Sequence, residues 1–167
     1  MDKEKYYVLQ VSTGDELSVM NELQRRGITA VVPLENRAIR SKGKWTTKKY
    51  TIFPGYVFIN IRYTWSKYYM MSNIKGVIRL LGGGTSPEPL SDDEVELLIR
   101  NSELFAEPSV LKFGDSGEYE IVSGVLLKLK DNIRRLDRHA HRAMVEMTMA
   151  GKKVKINLSY QCVIRNA

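Results

Sequence analysis

Phe53-Pro54-Gly55-Tyr56-Val57-Phe58-Ile59-Asn60-Ile61 is the stretch around which the amino-terminal part of the chain is organised. Pro54-Gly55 is a turn pair, because proline presets its own φ and glycine accepts a positive one. The residues that follow alternate as a strand does. Tyr56 and Phe58 fall on one face, and Val57, Ile59 and Ile61 on the other. Both faces are apolar, so either both are buried or one is a docking surface.

Towards the N-terminus, Tyr6 to Val11 reads as a strand. Thr13-Gly14-Asp15-Glu16 has the spacing of a capping box, and Leu17, Met20 and Leu23 follow at helical intervals. Arg25 and Arg26 suit the negative end of that helix, and Gly27 can end it in a left-handed conformation. Ile28 to Leu34 predicts the next strand, and residues 35–51 a hairpin with a basic tip at Ser41-Lys42-Gly43-Lys44.

Beyond the quoted stretch come a short helix over Trp65 to Met71, a strand over Gly76 to Leu81, and a loop with Gly82-Gly83-Gly84, Pro87 and Pro89. Ser91-Asp92-Asp93-Glu94 is a second capping box, ahead of Val95, Leu98 and Ile99. The order β-α-β-β-β-α-β-α predicts an α+β sandwich of about 100 residues, an antiparallel sheet with flanking helices.

The pattern changes after Glu107-Pro108-Ser109, which reads as a linker. Residues 112–167 alternate instead of following helical spacing. Val145, Met147 and Met149 mark one inward face, Val154, Ile156 and Leu158 another, and Cys162-Val163-Ile164 closes the set. About five short strands in this length predict a small β-barrel. The expected domains are therefore 1–107 and 108–167.

Composition limits the function classes. The chain has 167 residues, 43% hydrophobic and 27% charged, which is globular rather than disordered. No run approaches the ~20 apolar residues of a membrane-spanning helix, and the charged start with its short Tyr6-Leu9 apolar run is no signal peptide. The one cysteine, Cys162, excludes an internal disulfide and fits a reducing cytoplasm.

The net charge of +7 favours polyanionic partners. Residues 1–107 hold 15 basic and 13 acidic residues (+2), and residues 108–167 hold 11 and 6 (+5), so the shorter segment carries most of the excess. Arg37, Arg40, Lys42, Lys44, Lys48 and Lys49 form one cluster. Arg134, Arg135, Arg138 and Arg142 form another around His139 and His141.

Catalytic chemistry finds little support. Glycines 82–84 lack the Lys-Ser/Thr of a phosphate loop. His139 and His141 are surrounded by cations that would repel a metal, and Cys162 has no adjacent base. No catalytic residue, metal or cofactor is expected, and binding is favoured over enzymatic activity. Arginine forks can engage phosphates or guanine edges, and histidine can stack on bases.

Tyr6-Tyr7-Val8-Leu9, the helix to Arg26, the basic hairpin, Phe53-Pro54-Gly55-Tyr56-Val57-Phe58, Gly76-Val77 and Pro89-Leu90-Ser91 resemble the amino-terminal (NGN) domain of NusG-type transcription elongation factors. Gly114-Asp115, Ile121-Val122-Ser123-Gly124, Ile133, Asp137 and Arg142-Ala143 resemble a KOW domain. Leu136-Asp137-Arg138-His139 and Arg142-Ala143 are closer to specialised paralogues, antiterminators among them, than to the housekeeping protein.

The resemblance implies a monomeric transcription elongation or antitermination factor, with no membrane association. Its first domain would dock on the clamp of the largest subunit of RNA polymerase through Tyr7, Phe53, Pro54, Tyr56 and Phe58. Arg25, Arg26 and Lys75 resemble positions that approach non-template DNA. The KOW match departs from the family pattern around Lys128, where a glycine is usual, and at Asn132. Those departures add cations and point to nascent RNA, such as a hairpin, held by Lys128, Lys130, Arg134, Arg135, Arg138, His139, His141, Arg142, Lys152, Lys153 and Lys155. The rival readings are a ribosome- or RNA-associated KOW protein without polymerase binding, and a basic nuclease.

Overall fold

The computed structural model describes residues 3–82 and 86–163. Along the chain run β1 (Lys5–Val11), α1 (Glu16–Arg25), β2 (Thr29–Val31), β3 (Leu34–Ser41), β4 (Lys44–Thr51), β5 (Tyr56–Ile61), α2 (Trp65–Ser72), β6 (Val77–Leu80) and α3 (Asp92–Val95). Then follow β7 (Ser109–Phe113), β8 (Tyr119–Ser123), β9 (Ile133–Asp137), β10 (Arg142–Met149) and β11 (Lys152–Cys162). The strands form a four-stranded sheet ordered β2-β5-β1-β6, a β3-β4 ribbon, and a five-stranded sheet ordered β8-β7-β11-β10-β9. This is the mixed α+β architecture expected.

Four strands, not three, separate the first two helices. Pro33 has no N–H to donate, so β2 stops at Val31 and Leu34 begins the separate ribbon. At the ribbon's tip Lys42 and Gly43 both have positive φ (52° and 76°), the condition for a tight two-residue hairpin turn.

The quoted stretch forms a central strand. β5 lies antiparallel between β1 and β2, with Tyr7 opposite Ile59 and Ala30 opposite the same residue on the far side. Val57, Phe58 and Ile59 are fully buried, as are Val8 and Leu9 of β1.

α1 differs from expectation in two respects. Its inward stripe is Glu16, Val19 and Leu23, whereas Leu17 is exposed. No capping box forms at Thr13. Asp15 is the N-cap without a side-chain bond, and the buried Glu16 carboxylate accepts from the Gly14 N–H at 2.8 and 2.9 Å and from the Gly55 N–H at 3.3 Å. The carboxylate thus ties the helix start to the Pro54-Gly55 turn. The second capping box is present: Ser91 Oγ accepts from Glu94 N–H, and Glu94 Oε1 accepts from Ser91 N–H at 2.8 Å.

The described residues group into two compact units. One draws on residues within 1–33, 53–100 and 148–153, and the other on residues within 34–52, 101–147 and 154–167. The β3-β4 ribbon therefore groups with the carboxy-terminal strands. In those strands the alternation holds as read: Val145, Met147 and Met149 are buried, as are Val154, Ile156, Leu158 and Tyr160. β7 and β11 pair in parallel, Ser109 opposite Tyr160, and the five-stranded sheet is curled in the manner of a KOW-type barrel. Gly124 has φ +102°, and a Cβ there would lie 2.4 Å from Ser109 Oγ. That hydroxyl is buried and accepts from the Leu126 N–H at 3.0 Å. Cys162 is half-exposed, while Gly83, Gly84 and Ile164 lie outside the described residues.

Candidate functional site

The aromatic set named for polymerase docking is mostly interior. Phe53 (2% exposed) and Phe58 (0%) meet edge-to-face with centroids 5.4 Å apart, and Tyr7 is buried against β5. Burial, then the nearby Tyr63, raises the Tyr7 pKa above its usual value. Only Pro54, exposed, and Tyr56, half-exposed, present apolar surface to solvent. Of the five residues read from sequence as a docking surface, these two are the ones that reach solvent. Phe53 and Phe58 sit beneath them as packing, because β5 is covered on both faces. Within the same unit Lys152 places Nζ 5.7 Å from the Tyr56 ring centroid, a weak cation–π approach.

The three residues named for DNA do not form a clear cationic patch. Arg26 and Lys75 line one groove of about 500 Å³, together with Asp15, Ser18 and Glu22. Arg25 and Arg26 are both committed to Glu22, at 2.6 and 2.8 Å. Those bonds, Arg25's first, hold the Glu22 carboxyl down at about 2. Lys75 is exposed.

In the second unit the basic residues separate into free and engaged cations. Lys128 and Lys130 stand exposed on the helical turns between β8 and β9. Arg135 is exposed on β9, opposite Met144 of β10, and Lys155 is exposed on β11. Arg134, also exposed, donates to the Asp131 carbonyl at 2.9 Å. Arg138 lays its guanidinium over Phe113, 4.2 Å from the ring centroid, and His141 stacks on Tyr160 at 5.4 Å. Asp137 shapes the loop that carries them. Its Oδ1 accepts from the Ala140 and His139 N–H groups, at 2.9 and 3.1 Å, and these bonds, Ala140's first, lower its pKa.

Arg142, also named for RNA, is engaged within the protein. It donates to Glu35 Oε1 at 2.7 Å, to the Asn157 carbonyl at 2.9 Å and to Ser159 Oγ, so its fork is used within the protein. Glu35, 3% exposed, also pairs with Arg37. Sequence spacing could not reveal this acid, which lies over a hundred residues away. Lys152 and Lys153 lie in the segment that groups with the first unit, at the start of β11, the strand that also carries Lys155. Among the described residues no group of three or more His, Cys, Asp and Glu is placed to hold a metal ion, and no helix is long and apolar enough to cross a membrane.

A sequence profile of the family described as "Transcription termination factor nusG" matches residues 4–99, more than half of the chain. The chain belongs to the NusG family. It is 26% identical to the transcription termination/antitermination protein NusG of Buchnera aphidicola, covering 98% of this chain and 97% of that protein. It is 24% identical to the NusG of Bacillus subtilis, covering 95% and 96%. A solved structure, "Domain interaction in Thermotoga maritima NusG", is similar in fold, with a TM-score of 0.52, 18% identity and 94% of each chain covered. The β-ribbon, the central β5 and the curled sheet are thus parts of a NusG-type transcription factor.

Proposed function

We propose that this NusG-family member is a specialised elongation and antitermination factor, akin to the antiterminator LoaP. Residues 1–107 bind RNA polymerase at the clamp of its largest subunit, and residues 108–167 bind nascent RNA. The observation that carries the RNA assignment is the set of solvent-facing cations on the second unit: Lys128, Lys130, Arg134, Arg135 and Lys155. Such cations bind phosphates in a salt-dependent way. Arg138, His139 and His141 supply flat groups beside them. Polymerase contact is assigned to Pro54, exposed, and Tyr56, half-exposed, where the Pro54-Gly55 turn enters β5. Tethering the two functions on one chain raises the local concentration of each partner for the other.

The decisive experiment is transcription in vitro past a terminator, with and without the protein, on templates with varied leader RNA. Leader-dependent read-through is the expected result, and read-through unchanged on every leader would refute the proposal. The small exposed area of the aromatic set favours one alternative, an RNA-associated KOW protein without polymerase contact. Co-purification with ribosomes and not with polymerase would establish it.

A further inference from the structure

The proposed function leaves the basic ribbon unused. β3 and β4 pair from Leu34–Thr51 to Ser41–Lys44, and they form a two-stranded sheet of their own. The ribbon is held at its base, within the second unit. Buried Glu35 pairs with Arg142 and accepts from the Ser159 N–H at 3.4 Å. The Asn36 N–H donates to the Ala106 carbonyl at 2.8 Å, and Asn36 Nδ2 donates to Glu107 Oε1 at 2.9 Å. Beyond that base, residues 40–49 are exposed without a break.

The register sorts the side chains onto two faces, because residues directly opposite each other share one. Arg37 faces Lys48 and Ser41 faces Lys44, so Arg37, Lys44 and Lys48 lie on one side. Asn36 faces Lys49 and Arg40 faces Trp45, so Arg40, Lys49 and Trp45 lie on the other. Lys42 stands in the turn. Arg37 is engaged, since it pairs with Glu35 and lies 4.4 Å from the Tyr50 ring centroid. Among the described residues Arg40, Lys42, Lys44, Lys48 and Lys49 take part in no ion pair. Residues 36–51 contain no Asp or Glu. Like charges opposite each other, as at Arg37 and Lys48, cost a ribbon stability, so folding gives no reason for this pattern.

The two charged faces decide the partner. A flat acidic surface meets one face and leaves the cations of the other in water. A groove walled by two rows of phosphates meets both. The major groove of B-form DNA, about 12 Å wide and about 8.5 Å deep, admits a two-stranded ribbon. The major groove of an RNA helix is too narrow for side chains to read. The exposed arm, about five residues per strand, reaches roughly 15 Å, which exceeds the depth of the DNA groove. Trp45, 69% exposed, offers apolar surface to a thymine methyl group.

We infer that the β3-β4 ribbon enters the major groove of double-stranded DNA, with Lys44 and Lys48 towards one phosphate wall and Arg40 and Lys49 towards the other. This site uses none of the residues assigned to RNA.

Trp45 reports on the ribbon. The protein has two tryptophans, so Trp65→Phe leaves Trp45 as the sole emitter. A DNA duplex of about 16 base pairs, roughly one and a half turns, is titrated into this variant of the full chain, beside an RNA duplex of the same sequence and poly-glutamate. A saturable change in Trp45 emission is expected with DNA, and midpoints about tenfold weaker with the other two. Bulky groups on pyrimidine C5 project into the major groove and should weaken DNA binding about tenfold. Lys48→Ala and Lys49→Ala are neighbours in sequence on opposite faces. Each should weaken binding about eightfold at about 0.1 M salt and flatten the salt slope by about 0.9.

A loss in only one of these two variants, with native circular dichroism in both, overturns groove insertion, as does no loss in either. Equal binding of the RNA duplex or of the C5-blocked DNA overturns it too. A stronger response to poly-glutamate than to DNA makes the ribbon a protein-docking arm instead. Unchanged Trp45 emission while anisotropy reports bound DNA also overturns the inference. Combining Trp65→Phe with Arg134→Ala, Arg135→Ala and Lys155→Ala separates this site from the RNA surface. A DNA response retained there supports the ribbon whatever becomes of RNA binding, and a response lost overturns its independence.

Discussion

Arg142 Nη1 lies 2.7 Å from Glu35 Oε1, so a strand of the carboxy-terminal sheet grips the base of the basic ribbon. Glu35 is 3% exposed and the Arg142 side chain 18%, which makes this a desolvated pair rather than a surface one. Breaking such a pair strands a charge away from water. Arg142→Ala should therefore lower stability by about 3 kcal/mol, less whatever Arg37 retains. Urea titration checks this. Glu35→Gln with Arg142→Met should recover most of the loss, because the stranded charge is gone. Per folded molecule, RNA affinity should fall less in Arg142→Ala than in Arg135→Ala.

Phe53→Ala and Tyr56→Ala should part company although the residues are neighbours in sequence. Phe53 is core, and its truncation should cost about 3–5 kcal/mol. Tyr56 is half-exposed, so Tyr56→Ala should fold nearly as well as the parent yet lose retention on immobilised RNA polymerase. Equal retention of Tyr56→Ala and wild type would remove Tyr56 from the proposed docking surface.

Glu22 should titrate far below an ordinary glutamate. Its carboxyl is held at about 2 instead of 4.5, with Arg25 the leading cause. A depressed folded-state pKa adds stability that is fully present above 4.5 and disappears as pH falls through about 2. Because the pair lies at the surface, with the Arg25 side chain 75% exposed, salt should erase much of the shift. Carboxyl-carbon NMR on wild type and Arg25→Ala tests this, with the midpoint moving up in the variant.

Gly124→Ala should unfold the curled sheet locally. Its φ of +102° disfavours any Cβ, and Ser109 leaves no room, with its Cα 2.5 Å from where that Cβ would stand. A drop in thermal midpoint is expected that Ser109→Ala fails to restore, since removing the hydroxyl leaves the backbone clash in place.

Salt separates free cations from engaged ones. Arg135→Ala and Lys155→Ala should each flatten the slope of log affinity against log salt by about 0.9 for an RNA hairpin. Arg138 is exposed but stacked on Phe113, so Arg138→Ala should also cost folding stability, about 0.5–1 kcal/mol.

Local chemistry was legible wherever neighbours in sequence are neighbours in space. The ribbon with its Lys42-Gly43 tip, the Ser91 capping box and the alternation through Val154, Ile156 and Leu158 all satisfy rules that act over a few residues. Long-range pairing was not legible. Nothing near Thr13 shows that Glu16 turns inward to meet Gly55, and nothing near Arg142 points to Glu35. Phe53 and Phe58 could be read as surface or core, because two-faced apolar alternation fits both until covering elements are known.

Because the ribbon clusters with the distal strands, cutting the gene at residue 107 would not yield two self-sufficient halves. The amino-terminal product would carry an acid stripped of its guanidinium, and the carboxy-terminal one a guanidinium stripped of its acid. Expressing the two pieces together, with and without Arg142→Ala, and asking whether they reassociate would show how much of the molecule's integrity depends on that ionic clasp.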